Sequence, residues 1–182
     1  MKNNKKIGGF KTKIWNALGK DEMSQSLMYA KVLNGYIYAS NGKILIKQSL
    51  QEFHEIEKEQ ADIIEGKTFH RDLLKALWAF DIVSFDNDKI IASIGGAHTE
   101  FDYSPTITSP NFESVLTKSY EEIKQTSFDY KLLKTLCDSM DFDQFPKFYF
   151  GGENRAITVC NNIDELHIQH GIIMPASIIW TT

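Results

Sequence analysis

The residues of this sequence best suited to chemistry are cations, and the chemistry they suit is the holding of phosphate. Lys11, Lys13 and Lys20 lie on the polar side of one apolar-periodic stretch. His70, Arg71 and Lys75 lie on that of a second, and Lys131 and Lys134 on that of a third. Such a row neutralises phosphates without reading bases, so its binding is sequence-independent and weakens steeply with salt. Asp72, Asp129 and Asp138 stand among the cations and partly cancel them. A solvated amphipathic face accounts for the same residues equally well.

Catalytic spacings are missing. The chain has no Gly-x-x-x-x-Gly-Lys-Ser/Thr loop, no Gly-x-Ser-x-Gly elbow and no His-Glu-x-x-His. Gly151-Gly-Glu-Asn154 falls between two predicted strands and reads as a hairpin turn. His167 and His170, three apart on a predicted strand, point to opposite faces and make a poor metal pair. Cys137 shares a helix stripe with Leu133 and Leu136, the place of a packed thiol rather than a nucleophile. No carboxylate stands in an apolar setting that would raise its pKa. Neither catalysis, a metal nor a cofactor is expected.

The elements that must position the cations repeat. Phe69-His-Arg-Asp-Leu-Leu-Lys-Ala-Leu77 returns as Phe128-Asp-Tyr-Lys-Leu-Leu-Lys-Thr-Leu136, with a looser copy at Phe10-Lys-Thr-Lys-Ile-Trp-Asn-Ala-Leu18. Phe10, Phe69 and Phe128 are each 59 residues from the next. Apolar residues at i, i+4, i+5 and i+8 form one stripe of an α-helix, and a fixed period signals an internal repeat. Phe69, Leu73, Leu74, Leu77, Phe128, Leu132, Leu133 and Leu136 are the expected core positions.

After the first copy come strands at 27–33, 35–40 and 43–47, separated by Asn34-Gly35 and Asn41-Gly42. These dipeptides supply the positive φ angles of tight hairpins. Ser49 to Gln60 reads as a loop with a helical turn. A short strand near Ile63 leads into a helix at 69–79 and strands at 81–85, 89–93 and 98–103. Ser104 to Pro110, with two prolines, reads as a linker. The last unit has a strand at 121–126, a helix at 129–140 and strands at 147–150, 155–160 and 165–173. Helix followed by three antiparallel strands, three times over, predicts α+β architecture with helices on one face of the sheets. The expected division is residues 1–117, two half-units, and 118–182, one.

Composition sets the bounds. At 182 residues, 42% apolar and 24% charged, the chain is that of an ordinary globular protein able to bury a core. No apolar run is long enough to span a bilayer, and the basic N-terminus lacks the apolar segment of a signal peptide. Cys137 and Cys160 are read as reduced and packed, which predicts a cytoplasmic protein. The net charge is −4, yet Lys2, Lys5, Lys6, Lys11, Lys13 and Lys20 precede any carboxylate, whereas Glu52 to Glu65 is acidic.

Four short stretches resemble the bacterial sliding clamp, the β subunit of DNA polymerase III. Ala39-Ser-Asn-Gly-Lys-Ile-Leu45 is similar to that family's Ala-Thr-Asp-Gly-His-Arg-Leu strand turn. Phe69 to Tyr103 is similar to the second half of its middle domain. Pro110-Asn-Phe-Glu-Ser-Val-Leu116 resembles the Pro-Asp-Tyr-x-x-Val-Leu-Pro segment closing that domain, and Gly171-Ile-Ile-Met-Pro175 its Val-Val-Met-Pro ending. The chain departs in having three half-units where the family has six, Lys43-Ile44 in place of His-Arg, Thr117 in place of Pro, and residues 176–182 after the ending.

The resemblance implies a DNA-clamp-like fold and a non-catalytic role in DNA replication or repair. It implies duplex DNA against the helix cations, and self-association into a ring or arc. It also implies a pocket for partner peptides of the polymerase type, lined by Ser40, Gly42, Lys43, Ile44, Leu45, Thr117, Ile172, Met174, Pro175 and Ala176. A second class of function fits the same residues: an interaction module or clamp regulator with the clamp fold, holding a partner peptide or blocking another clamp, that does not bind DNA.

Overall fold

The structure is a computed structural model that describes residues 9–20, 22–54, 56–116, 126–140, 146–152, 155–160 and 169–176. Two antiparallel sheets carry the chain. Strands β1 (Tyr29–Leu33), β2 (Tyr36–Ser40) and β3 (Ile44–Ser49) form a meander, joined by β4 (Thr68–His70) along β1. Asn34-Gly35 turns β1 into β2 with φ of 54° and 78°, the double left-handed pair that a two-residue hairpin requires. Strands β5 (Ile82–Phe85), β6 (Lys89–Ile94) and β7 (Ala97–Asp102) make a separate three-stranded sheet. Strands β8 (Lys147–Phe150), β9 (Ile157–Cys160) and β10 (Gln169–Ile173) complete the set.

The last unit continues the sheet of the first. β10 pairs with β3, Ile172 opposite Leu45, and the resulting order is β4-β1-β2-β3-β10-β9-β8. Helices lie on one side of this seven-stranded sheet. They are α1 (Leu50–His54), α2 (Lys58–Ile64), α3 (Arg71–Leu77) and α4 (Tyr130–Met140). A 3-10 turn at Ile14–Ala17 sits between α3 and α4 and touches both. One core joins the three units: Ile14, Leu18, Val32, Ile37, Ile46, Leu74, Leu77, Ile90, Leu136 and Val159 are all buried in it.

The helix copies are unequal. The third forms an eleven-residue helix and the second a seven-residue one, but the first shrinks to the four residues Ile14–Ala17. Its start is claimed by other partners. The Lys11 N–H donates to the Phe53 carbonyl (2.9 Å), and the buried Thr12 hydroxyl donates to Gln48 Oε1 (2.7 Å). Nor does the repeated Phe open a helix. Phe69 belongs to β4, opposite Ala30, and Phe128 precedes α4. Phe69, Leu74, Leu77 and Leu136 are buried as expected, whereas Leu73, Phe128, Leu132 and Leu133 are half-buried at the margin of the core.

Two further readings are corrected. Ser49 to Gln60 contains α1 and the start of α2, because Leu50, Phe53, Ile56 and Ile64 supply apolar anchors that turn this charged stretch onto the sheet. Residues 104–116 are no free linker. They form a strap across the other side of the seven-stranded sheet, ending in a 3-10 turn at Phe112–Val115. The strand expected at 121–126 lies almost entirely outside the described residues, as do Lys2, Lys5, Lys6 and His167.

Candidate functional site

Alternation along the strands gives the seven-stranded sheet a second face. Where Ile37, Ala39, Ile44 and Ile46 point to the helices, Tyr38, Leu45 and Ile172 point away and form a small cluster with Phe112 of the strap. Phe112 stacks flat on Tyr38, with ring centroids 5.6 Å apart and planes 4° off parallel. The Tyr38 hydroxyl donates to Glu113, which also receives Lys47 Nζ at 3.3 Å. Burial and the neighbouring carboxylate push the tyrosine pKa up. The Tyr38 hydrogen bond, with Lys47 helping, holds Glu113 below the ordinary carboxylate range. At the strap's other end the Thr68 hydroxyl donates to the Pro105 carbonyl, and the His70 N–H to the Ser104 hydroxyl, both at 2.8 Å.

This strap does not fill the face. Between it, the β2–β3 turn and the end of β10 lies a mostly apolar cavity of about 170 Å³. Ser40, Gly42, Lys43, Ile44, Leu45, Ile172 and Met174 line it, seven of the residues that the motifs assign to a pocket. The turn is fixed by its own side chains. Ser40 Oγ donates to the Ile44 carbonyl (2.8 Å) and accepts from the Gly42 N–H, while Asn41 Oδ1 accepts from both Lys43 and Ile44. Gly42 sits at φ 84°, where a side chain would be strained. The Met174 N–H donates to the Lys43 carbonyl at 3.2 Å and brings the two motifs together.

Leu27, Pro110, Asn111, Phe112 and Val115 complete the lining and are additions to the expected set. The last four sit in the Pro110–Leu116 stretch, whose apolar residues beside a proline were the available signal; Leu27 had none. Pro175 and Ala176 do not line the cavity, because the Ala176 N–H donates to the Ser127 carbonyl (2.8 Å) and draws the chain toward α4. Thr117 lies outside the described residues. Val115 and Met174 are 48% and 44% exposed, so the mouth presents apolar side chains to solvent. A larger cavity of about 370 Å³, with a mixed polar and apolar lining, flanks the strap on its other side, between Lys31, Leu33, Tyr38 and residues 106–113.

The cations of the helix side are unevenly available. Lys13, Lys20, Lys75, Lys131 and Lys134 are exposed. Lys134 is bound to Asp138 at 2.6 Å one turn on. The Arg71 side chain is only 21% exposed, 3.8 Å from Asp72, with its Nε buried. His70 caps α3 by accepting the Asp72 N–H on Nδ1, and Lys11 is half-buried. Asp129 accepts the Lys131 N–H at the start of α4, so this carboxylate serves the helix. Lys13 lies over the Trp78 ring, 5.7 Å from its centroid.

Neither thiol is disulfide-bonded: Cys160 is buried, and Cys137 is half-buried with its pKa pushed up by desolvation. His170 is buried on the outer face of β10. Among the described residues no cluster of metal-binding side chains occurs, and no helix is long and apolar enough to cross a membrane.

No family model and no curated protein matches this sequence. Solved structures do match its shape. The DNA polymerase sliding clamp of Bacillus subtilis aligns with a TM-score of 0.62 at 9% identity, over 96% of this chain and 65% of the clamp. The griselimycin-bound DNA polymerase III subunit beta of Bartonella birtlesii aligns at 0.64 and 10% identity, over 94% and 67%. The subunit of Thermotoga maritima aligns at 0.59 and 13% identity, over 91% and 63%. This is the sliding-clamp fold. The chain carries it over about two-thirds of the length of the clamps it matches, and at these identities the likeness is one of fold.

Proposed function

We propose that this clamp-fold protein is a non-catalytic factor of DNA replication or repair that docks the linear peptides of partner proteins in its outer-face cavity. The observation that carries the reading is the meeting of two distant motifs, Ser40–Leu45 and Ile172–Met174, around one apolar cavity with a solvent-exposed rim. Convergent apolar walls with a few fixed polar groups are what a peptide anchor needs. A cavity of about 170 Å³ takes one or two apolar side chains, and the rest of the peptide would lie along the strap.

Fluorescence anisotropy with short peptides carrying polymerase-type apolar anchors tests this. Val115→Asp and Met174→Asp change exposed rim residues, leave the fold intact, and should weaken binding at least tenfold. A parent chain that binds none of these peptides, or variants that bind as the parent does, would remove the site.

A second reading, that duplex DNA lies against the helix side, is favoured by the exposed Lys13, Lys75 and Lys131 on three neighbouring elements. Each lost phosphate contact should lower the salt slope by about one. The triple alanine variant should therefore bind more weakly and less salt-dependently. Absence of DNA binding by the parent at low salt would leave the peptide-docking module alone.

A further inference from the structure

One stretch of the sequence takes no part in the site described so far. Residues 176–182 follow the Ile172–Met174 motif and carry three large apolar side chains in a row, Ile178, Ile179 and Trp180. Residues 177–182 lie outside the described residues, but what precedes them fixes where they start. The Met174 N–H donates to the Lys43 carbonyl at 3.2 Å, which pins the chain at the rim of the apolar outer-face cavity that Met174 itself lines. Two residues on, the Ala176 N–H is held by the Ser127 carbonyl. An extended chain covers at most about 3.6 Å per residue, so Ala176 lies within roughly 7 Å of Met174. One reversal after Ala176 therefore returns residues 178–180 to the rim.

The chemistry of this segment matches the cavity. Residues 176–182 carry no charged side chain, whereas residues 1–8, 117–125, 141–145 and 161–168, also undescribed, each carry at least two. The cavity has a single charged lining residue, Lys43, and a rim of exposed apolar Val115 and Met174. Seating uncharged side chains there strips no charge on the segment of its water. We infer that Ile178, Ile179 and Trp180 fold back in cis onto the mouth of this cavity, so that the protein masks its own peptide site until a partner displaces them. The inference rests on the reading of the cavity as a seat for apolar side chains. A segment of about 0.2 mM affinity, held at an effective concentration on the order of 1 mM by so short a tether, weakens a competing ligand about sixfold.

The probe is a fluorescein-labelled peptide of residues 176–182. Anisotropy compares its binding to the full chain and to the triple variant Ile178→Ser, Ile179→Ser, Trp180→Ser. The variant should bind the probe at least fivefold more tightly than the parent, with the circular dichroism of the parent. Adding Met174→Asp should remove the gain. Should the triple variant misfold, Trp180→Ser alone should still give a gain of at least twofold. A variant that binds the probe as the parent does, or a gain that survives Met174→Asp, would overturn the inference. Sedimentation velocity should give parent and variant the same mass. An assembly that only the parent forms would seat the segment in a second copy and overturn the contact in cis. Polymerase-type peptides separate this inference from the reading beneath it. If they bind parent and variant alike, partner docking stands and masking falls. If they bind neither while the probe still prefers the variant, masking stands and partner docking falls.

Discussion

The two faces of the seven-stranded sheet use the same strands for opposite ends. Toward the helices, alternate residues are aliphatic and the covering elements are regular, so the void left among Phe10, Val32, Leu50, Leu74 and Phe85 is too small to hold water. Gly171 shows how tightly: a Cβ added there would lie 2.6 Å from Leu136 Cδ1 and 2.8 Å from Met140 Sδ. On the outer face aromatic, aliphatic and polar residues are mixed, and the cover is an irregular strap held by one ring stack and a few polar contacts. That cover leaves two cavities. One face holds the fold and the other keeps open cavities; the difference lies in what covers each, since the strands are shared.

The largest expected effect is on the helix side. Leu74 is fully buried in the core on α3, so Leu74→Ala should destabilise the chain by roughly 2–5 kcal/mol, the lost transfer energy plus the cavity. Urea unfolding at constant slope measures it. A cost under about 1 kcal/mol would mean that this face is not close-packed, and the contrast would fail.

Gly171→Ala tests the same face by addition. The new methyl meets side-chain atoms of α4 at well under contact distance, and overpacking of this kind typically costs about 1–3 kcal/mol. Because Leu136 and Met140 can turn, the value should fall below that for Leu74→Ala. A variant as stable as the parent would show α4 riding loosely on β10.

These two positions also show what could be read from the sequence. The hairpins were legible because Asn34-Gly35 and Asn41-Gly42 carry their own backbone instructions, and nine strands fall within a few residues of their expected places. The helix stripes were legible as apolar residues but not as helix boundaries. Phe10 and Phe69 keep the spacing of the repeat, yet β4 and the contacts of Lys11 and Thr12 claim the backbone around them. Tertiary partners overrode local periodicity. Seven cavity residues came from motifs, but Leu27 did not, because only the fold brings it beside Gly42. The cations were legible as a set. Their pairing was not, since whether Lys134 reaches Asp138 or Arg71 tucks in depends on side-chain placement that spacing does not encode.

The third test carries the contrast onto the strap. Phe112 is buried, and removing a buried aromatic from a core typically costs about 3–5 kcal/mol. Here the stack on Tyr38 belongs to a small cluster outside the main core, so the loss should be confined to local opening of the strap. Phe112→Ala should lower global stability by less than about 2 kcal/mol while weakening peptide binding at least tenfold. Calorimetry and anisotropy on one preparation separate the two. A global cost equal to that of Leu74→Ala would make the strap part of the core and its cavities mere packing gaps.

The smallest effect concerns Glu113, whose carboxylate takes the Tyr38 hydroxyl and Lys47. Its pKa lies below the ordinary 4.5 in the folded chain, chiefly because of the Tyr38 hydrogen bond. A group with a depressed folded pKa contributes stability that is present above its ordinary value and is lost as the pH falls through the folded value. The strap should therefore be held fully at neutral pH and loosen below about pH 4.5. Glu113 is 47% exposed at its side chain, so solvent screening limits the gain to about 0.2–1 kcal/mol. Glu113→Gln keeps the shape and removes the charge. Since every other carboxylate also titrates, the informative quantity is the stability difference between parent and Glu113→Gln, measured at pH 7 and again near pH 3.5. That difference should shrink toward zero in acid. If it stays the same at both, the carboxylate does not fasten the strap, and the stack of Phe112 on Tyr38 holds the outer cover alone.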